Sequence, residues 1–246
     1  MVSILRGSQT SLTEGVIWKQ MLIFALPILM GNVFQQLYNT VDALIVGHFL
    51  DKQALAAVTS SGSLIFMLVG FFNGVAMGAG VVISKMFGAK DHKSLSLAVH
   101  TDIAFGLAAG AVLTVLGVGF TPTILQWMDT PDNVLPKSIE YFRFYFSGAI
   151  FIVMYNICVG ILQAVGDSKR PLYFLICSSI INVLLDLLFV GAFGWGVWAA
   201  ALATTISQAV SVVLCLYRLT KYETPYQLHW KKIRMHIPTL KNVIRF

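Results

Sequence analysis

Six apolar stretches, each about 20 residues or longer, dominate the chain. They cover residues 21–49, 58–83, 95–120, 139–162, 172–193 and 197–217. Short polar connections separate them. In hydrocarbon every backbone N–H and C=O must find a partner inside the protein, which leaves only helices and closed barrels. Barrel strands would be about ten residues long and alternating, so the pattern predicts an all-α, polytopic membrane protein, a bundle of six transmembrane helices. The rest of the composition agrees. Charged residues are 11% and hydrophobic residues 57%, against about 25% charged in a soluble domain. A water-facing surface cannot be built from so few charges. The first two stretches exceed bilayer thickness and are expected to tilt or kink, and Pro27 offers the first a hinge by removing one backbone hydrogen bond. The residues before the first stretch are polar and mixed. No cleavable signal is therefore expected, and the first stretch stays as an anchor.

The basic residues fall into two sets. Arg6, Lys19, Lys85, Lys90, Lys93, Lys169, Arg170, Arg218, Lys221, Lys231, Lys232, Arg234, Lys241 and Arg245 lie on one side of the alternating spans. Only Lys52, Lys137 and Arg143 lie on the other. The positive-inside rule then places both termini in the cytoplasm of a multi-pass protein of the plasma (cell inner) membrane. Anionic headgroups account for the basic loops, so the lipid bilayer is the expected partner and nucleic acid is not. No GxxxxGK[ST] loop occurs, which excludes that kind of ATP engine. Two parts are expected: a six-helix lobe over residues 1–217 and a cytoplasmic or interfacial linker over 218–246. In the linker Tyr226 and Trp230 among lysines suggest a segment lying on the headgroups.

Several side chains have an ordinary reading. Cys158, Cys177 and Cys215 sit in apolar runs with no paired spacing and read as small buried hydrophobes. Gly70, Gly74 and Gly78, and likewise Gly106 and Gly110, step by four and suggest close helix packing. His100 and Asp102 are expected to snorkel to the cytoplasmic interface, and His48 to be solvated at the outer one. No HxxxH, CxxC or Ser–His–Asp pattern is present, so neither an enzyme, a resident metal nor a cofactor is expected.

Asp42 and Asp186 read differently. An aspartate at a helix centre costs roughly 2.5–3.5 kcal/mol on insertion scales, whereas an interhelical hydrogen bond returns about 0.6 kcal/mol. Each belongs to a polar stripe at helical spacing. Asn32, Gln35, Asn39 and Asp42 form the first, and Ser178, Asn182 and Asp186 the second. Thr204, Gln208 and Ser211 follow in the sixth span, and Asn156 and Gln163 flank Gly160 in the fourth. The economical arrangement turns these stripes toward one wet interior. Ser178, Gln163 and Ser211 are explained by interhelical hydrogen bonding, but two carboxylates without an internal basic partner are not. Desolvation and mutual repulsion oppose ionising both. Such a pair can hold a proton, or a Na⁺ if oxygens from Asn182 and Thr204 or Thr205 complete the shell.

Six segments carry a family resemblance. LPILMGNVFQQLYNTVDALIVGHF, ALAAV, MGAGVVISKMFGAKD, ILQAVGDSKRPLY, INVLLDLLFV and GVWAAALATTISQ occur in order across residues 17–246. They resemble the amino-terminal six-helix lobe of the multidrug and toxic compound extrusion (MATE) family. The resemblance implies H⁺- or Na⁺-coupled antiport of bulky, often cationic organic compounds by alternating access between two lobes. It implies cation binding at Asp42, Asn182, Asp186 and Thr204 or Thr205, and a bend at Pro27. Gln35, Asn39, Asn156, Gln163 and Gln208 are the expected cavity-lining residues. Family members carry two lobes, so the chain is expected to be a truncation needing a second six-helix lobe, from the same gene or as a parallel homodimer. A flippase for lipid-linked oligosaccharides is disfavoured by the lack of basic residues deep in the spans, and a non-transporting membrane fragment is the remaining alternative.

Overall fold

The computed structural model describes residues 16–60 and 62–244. Nine α-helices are found among them: α1 Ile17–Phe49, α2 Lys52–Ser60, α3 Gly62–Gly88, α4 His92–Trp127, α5 Leu135–Ser147, α6 Ala149–Ala164, α7 Lys169–Asp186, α8 Trp198–Lys221 and α9 Ile237–Ile244. The described residues contain no strand. Five helices are long and apolar enough to cross a membrane, and the α5–α6 pair, bent by 48°, supplies the sixth span. The sequence therefore gives the correct number of spans. Two details differ. The second span starts at Gly62, because residues 52–60 form the separate amphipathic α2. The fifth ends in a π-helical turn, Leu187–Ala192, directly after Asp186. The helix α1 runs unbroken through Pro27.

Local chemistry sets the helix ends. Asp91 caps α4 by accepting from the Ser94 N–H at 3.1 Å, which satisfies one of the four free N–H groups of the first turn. Gly166, at φ +85°, closes α6 in the left-handed conformation that glycine tolerates best. Asp51 accepts from the Ala54 N–H at 2.8 Å and pairs with Lys137, tying the start of α2 to α5. The Lys137 ammonium and that N–H hold the Asp51 carboxyl below its usual range.

In lipid the hydrophobic effect does not bring helices together, so packing and small residues must. The helix α6 is central, lying against α3, α4 and α8, while α7 packs on α1 and α8. A Cβ on Gly110 would meet Ile150 Cα at 2.9 Å, and one on Gly106 would meet Ile157 Cγ1 at 3.0 Å. These two glycines permit the α4–α6 approach, as their spacing suggests. Gly70 and Gly74 do not serve such packing: nothing lies within 4 Å of a Cβ built on either. At these positions α3 has no close neighbour among the described residues. Cys158 and Cys215 are buried, but Cys177 is exposed.

The segment after α8 departs most from expectation. The helix α8 continues to Lys221, and the chain then folds back over the ends of α3 and α4. Tyr226 is fully buried, with its ring edge-on to Phe87 at 6.3 Å. It does not lie on headgroups, although Trp230 is exposed. The Leu228 N–H donates to Leu219 O at 2.9 Å. The His229 N–H donates to His100 Nε2 at 3.0 Å, and His100 Nδ1 lies 2.6 Å from Ser96 O. His100 is thus neutral, with its proton on Nδ1, because Nε2 must accept. It does not snorkel, and neither does Asp102, which is buried beside Cys158. The returning segment shields His100 through His229, whereas Asp102, about 200° further round α4, is shielded by α6 at Cys158. His48 is exposed, as expected.

Two stability measurements follow. Gly110→Val should destabilise the bundle by about 1–3 kcal/mol through overpacking, whereas Gly74→Ala should leave the thermal midpoint in detergent unchanged. Tyr226→Ala should cost about 3 kcal/mol and make the 222–236 segment cleavable by added protease.

Candidate functional site

The polar stripes of α1, α7 and α8 meet in a buried seam. Asp42 from α1 is 7% exposed, and Asp186, at the last turn of α7, is fully buried. Their carboxyl groups are close enough to influence one another electrostatically. Asn182, one turn before Asp186, is buried and donates from Nδ2 to Thr204 Oγ1 of α8 at 3.4 Å. Asp42, Asn182, Asp186 and Thr204 are therefore brought together as expected. The π-helical turn begins immediately after Asp186, a backbone irregularity of the kind that often marks functional positions.

Acceptors outnumber donors here. Asp42 Oδ1, both Asp186 oxygens, Asn182 Oδ1 and Gln208 Oε1 are buried without a hydrogen-bond partner. Buried oxygens left unsatisfied each cost on the order of 1–3 kcal/mol. Two neighbouring carboxylates also repel in a medium of low dielectric. A single positive species shared between them relieves both penalties. Three or more His, Cys, Asp or Glu side chains never cluster at metal-binding spacing among the described residues.

Tyrosines surround the pair. The Tyr38 hydroxyl, one turn before Asp42, lies beside Gln35, Gln208 and both carboxylates. From α5, Tyr141 and Tyr145 approach the same place, with their rings stacked at 6.1 Å. Sequence reasoning misses these three, because a tyrosine in an apolar span carries no charge cost to single it out. The available signal for Tyr38 is its position four residues before Asp42, on the same helical face.

The remaining candidates separate. Pro27, Gln35, Asn156 and Gln163 line a cavity of about 640 Å³ among α1, α3, α6 and α7, together with Asn32, Asn73 and Tyr155. Gln208 is buried beside Tyr38. Asn39 is not among the residues lining that cavity: it is exposed and donates to Gln36 Oε1 at 3.3 Å on its own helix. Thr205 does not join the carboxylates either. It lines an apolar recess with Phe151, Ile206 and Val210 and abuts Gly148. Adjacent residues on a helix are turned about 100° apart, so Thr204 and Thr205 cannot both face Asp186. The expected shared interior is thus a carboxylate site and a neighbouring cavity, with Gln35 and Tyr38 between them.

Known proteins share this arrangement of helices. The MatE family profile matches residues 27–188. The chain is 35% identical over 232 residues to the probable multidrug resistance protein YoeA of Bacillus subtilis, covering 93% of this chain and 50% of that protein. It is 24% identical over 205 residues to the multidrug export protein MepA of Staphylococcus aureus, covering 83% of this chain and 46% of that protein. Among solved structures, a MATE protein in a bent conformation superposes with a TM-score of 0.85 at 26% identity, covering 99% of this chain and 53% of that one. An inward-facing multidrug resistance MATE transporter superposes at 0.79, covering 86% and 48%. The chain spans about half the length of the relatives it matches. With more than half of its residues inside the family profile, Asp42, Asn182 and Asp186 among them, the chain belongs to the MatE family.

Proposed function

We propose that the chain acts as one lobe of a cation-coupled exporter, in which the Asp42–Asp186 pair binds and releases the coupling ion. The observation that carries this reading is the surplus of buried, unpartnered oxygens around two neighbouring carboxyl groups, with no basic side chain acting on them among the described residues. Two neighbouring carboxyl groups without donors can be satisfied by one shared proton, which favours H⁺. Na⁺ is the second reading, favoured by Asn182 Oδ1 and Thr204 Oγ1 beside the pair. Binding of either ion costs or releases free energy according to how closely α1, α7 and α8 approach. Ion occupancy is thereby linked to helix arrangement, and a ligand shifts a conformation only through such differential binding.

The cavity of about 640 Å³ has a size suited to small organic molecules. Its amide lining and Tyr155 would contact polar and aromatic parts of a bulky, often cationic substrate. Pro27 sits on that lining and serves as the hinge of α1 when the pair loads its ion. The open stretch of α3 at Gly70 and Gly74 would meet the second lobe. Both termini face the cytoplasm, from the distribution of lysine and arginine. A pyrophosphate-carrying substrate is disfavoured. Arg170 and Arg218, the two buried arginines, lie at the basic end of the bundle, away from the carboxylates.

Efflux of a cationic aromatic dye, measured in vesicles containing the chain with its opposing lobe, tests the reading. Asp42→Asn or Asp186→Asn should reduce gradient-driven efflux to the level of empty vesicles while membrane insertion stays normal. Imposing a pH gradient or a Na⁺ gradient alone identifies the ion. Undiminished efflux in both variants would contradict the proposal. Pro27→Ala should slow efflux but leave dye binding at equilibrium intact.

A further inference from the structure

We propose that Gly148 and Thr205 form a mechanical stop that sets the angle of α5 and so places Tyr141 and Tyr145 against the carboxylate pair. This positioning role rests on the reading of Asp42 and Asp186 as the coupling site. It gives Thr205 a task other than ion binding.

Three observations meet at the break in the fourth span. The helices α5 and α6 diverge by 48°, with Gly148 between them at φ −91° and ψ 1°. At the same point Thr205 of α8 fills the space that a Gly148 side chain would occupy. A Cβ there would collide with Thr205 Oγ1 and lie 2.6 Å from its Cγ2 and 2.8 Å from its Cβ. Real Cβ atoms do not approach so closely, so only glycine at 148 lets α8 fit against the break at this angle. The break is also prepared locally, since the Ser147 hydroxyl donates to Phe144 O at 2.6 Å and so competes for a carbonyl of the last turn.

From this pivot α5 is held at two further points. Phe144 packs on Trp198 of α8 with centroids 5.0 Å apart. At the far end Lys137 pairs with Asp51, just before α2. Between pivot and far end lie Tyr145 and Tyr141, both buried and turned toward Asp42 and Tyr38. Lys137 is about 16 Å from Gly148 along the helix. A change of about 10° at the pivot therefore moves the far end by roughly 3 Å and the tyrosines by about 1–2 Å. Displacements of that size decide whether a hydroxyl reaches a carboxyl oxygen. The helix α8 presents consecutive residues to the two places: Thr204 holds Asn182, and Thr205 holds the break. One helix thereby registers the ion site against the tyrosine arm.

Crosslinking reads the pivot directly. In a chain whose three native cysteines are replaced, Asp51→Cys and Lys137→Cys are joined in membranes by a short bismaleimide. The parent should crosslink readily. Gly148→Ala should slow crosslinking severalfold, and adding Thr205→Gly should restore the parent rate. Unchanged crosslinking in Gly148→Ala, or a loss that Thr205→Gly does not reverse, overturns the proposal. Transport gives the second readout. With the opposing lobe present, Gly148→Ala should cut dye efflux by about tenfold or more, as expected for misplaced groups. Thr205→Gly should recover it, while Thr205→Val, which keeps the shape and removes the hydroxyl, should transport normally. If Thr205→Val loses efflux as Asp186→Asn does, Thr205 is a ligand and the stop is wrong. The crosslink does not depend on transport, so failure of the coupling-site reading would appear in the aspartate variants alone.

Discussion

Two neighbouring carboxyl groups buried inside an apolar bundle set the terms for the rest of this structure. Asp42 and Asp186 come from helices far apart in sequence, and each costs roughly 2.5–3.5 kcal/mol to place in hydrocarbon when ionised. Their surroundings supply mostly acceptors: Asn182 Oδ1 and Gln208 Oε1 point inward without partners. On the proposed reading a positive species satisfies this site, so the seam of α1, α7 and α8 would have a loaded and an unloaded state, and packing elsewhere would transmit the difference between them.

The surrounding bundle is organised to resist deformation at some places and permit it at others. The helices α4 and α6 touch through Gly106 and Gly110, and close backbone approach of this kind makes a rigid pair. The helix α1 contacts its neighbours less extensively, lies largely exposed and contains Pro27. The π-helical turn after Asp186 and the break at Gly148 interrupt two of the three other helices that carry site residues. Irregular backbone thus flanks the carboxylates, while the regular pair α4–α6 lies behind them. At the basic end the chain returns over α3 and α4, burying Tyr226 and fixing His100 as the neutral Nδ1 tautomer.

Much of this was legible in the sequence, for physical reasons. Long apolar runs and lopsided lysine and arginine admit few topologies, and aspartates in apolar runs are expensive enough to single themselves out. Helical periodicity then joined Asn182 to Asp186 and Gln35 to Asp42. What periodicity cannot give is rotational phase between helices. Thr204 and Thr205 were equivalent on the sequence, and only packing turns one to Asn182 and the other to Gly148. Asn39 fits its stripe yet faces outward, because the seam centres on Tyr38 and Asp42 and Asn39 is turned about 100° from Tyr38 and about 60° from Asp42. Gly70 and Gly74 have the spacing of a packing motif, but no described residue lies close to either. His100, Asp102 and Tyr226 were misjudged together, since the backward fold of a polar linker leaves no periodic mark. Tyr141 and Tyr145 escaped notice because a tyrosine's role depends on what stands opposite its hydroxyl.

The central claim is that Asp42 and Asp186 act as one ion-binding unit. Infrared difference spectroscopy of the chain in lipid, between acid and alkaline buffer, tests this most directly through the carbonyl stretch of protonated carboxyl groups. The account predicts a band that disappears when either aspartate alone is replaced by asparagine and that is perturbed by Tyr141→Phe. Two independent bands, each removed by only one of the substitutions and indifferent to the other, would contradict it.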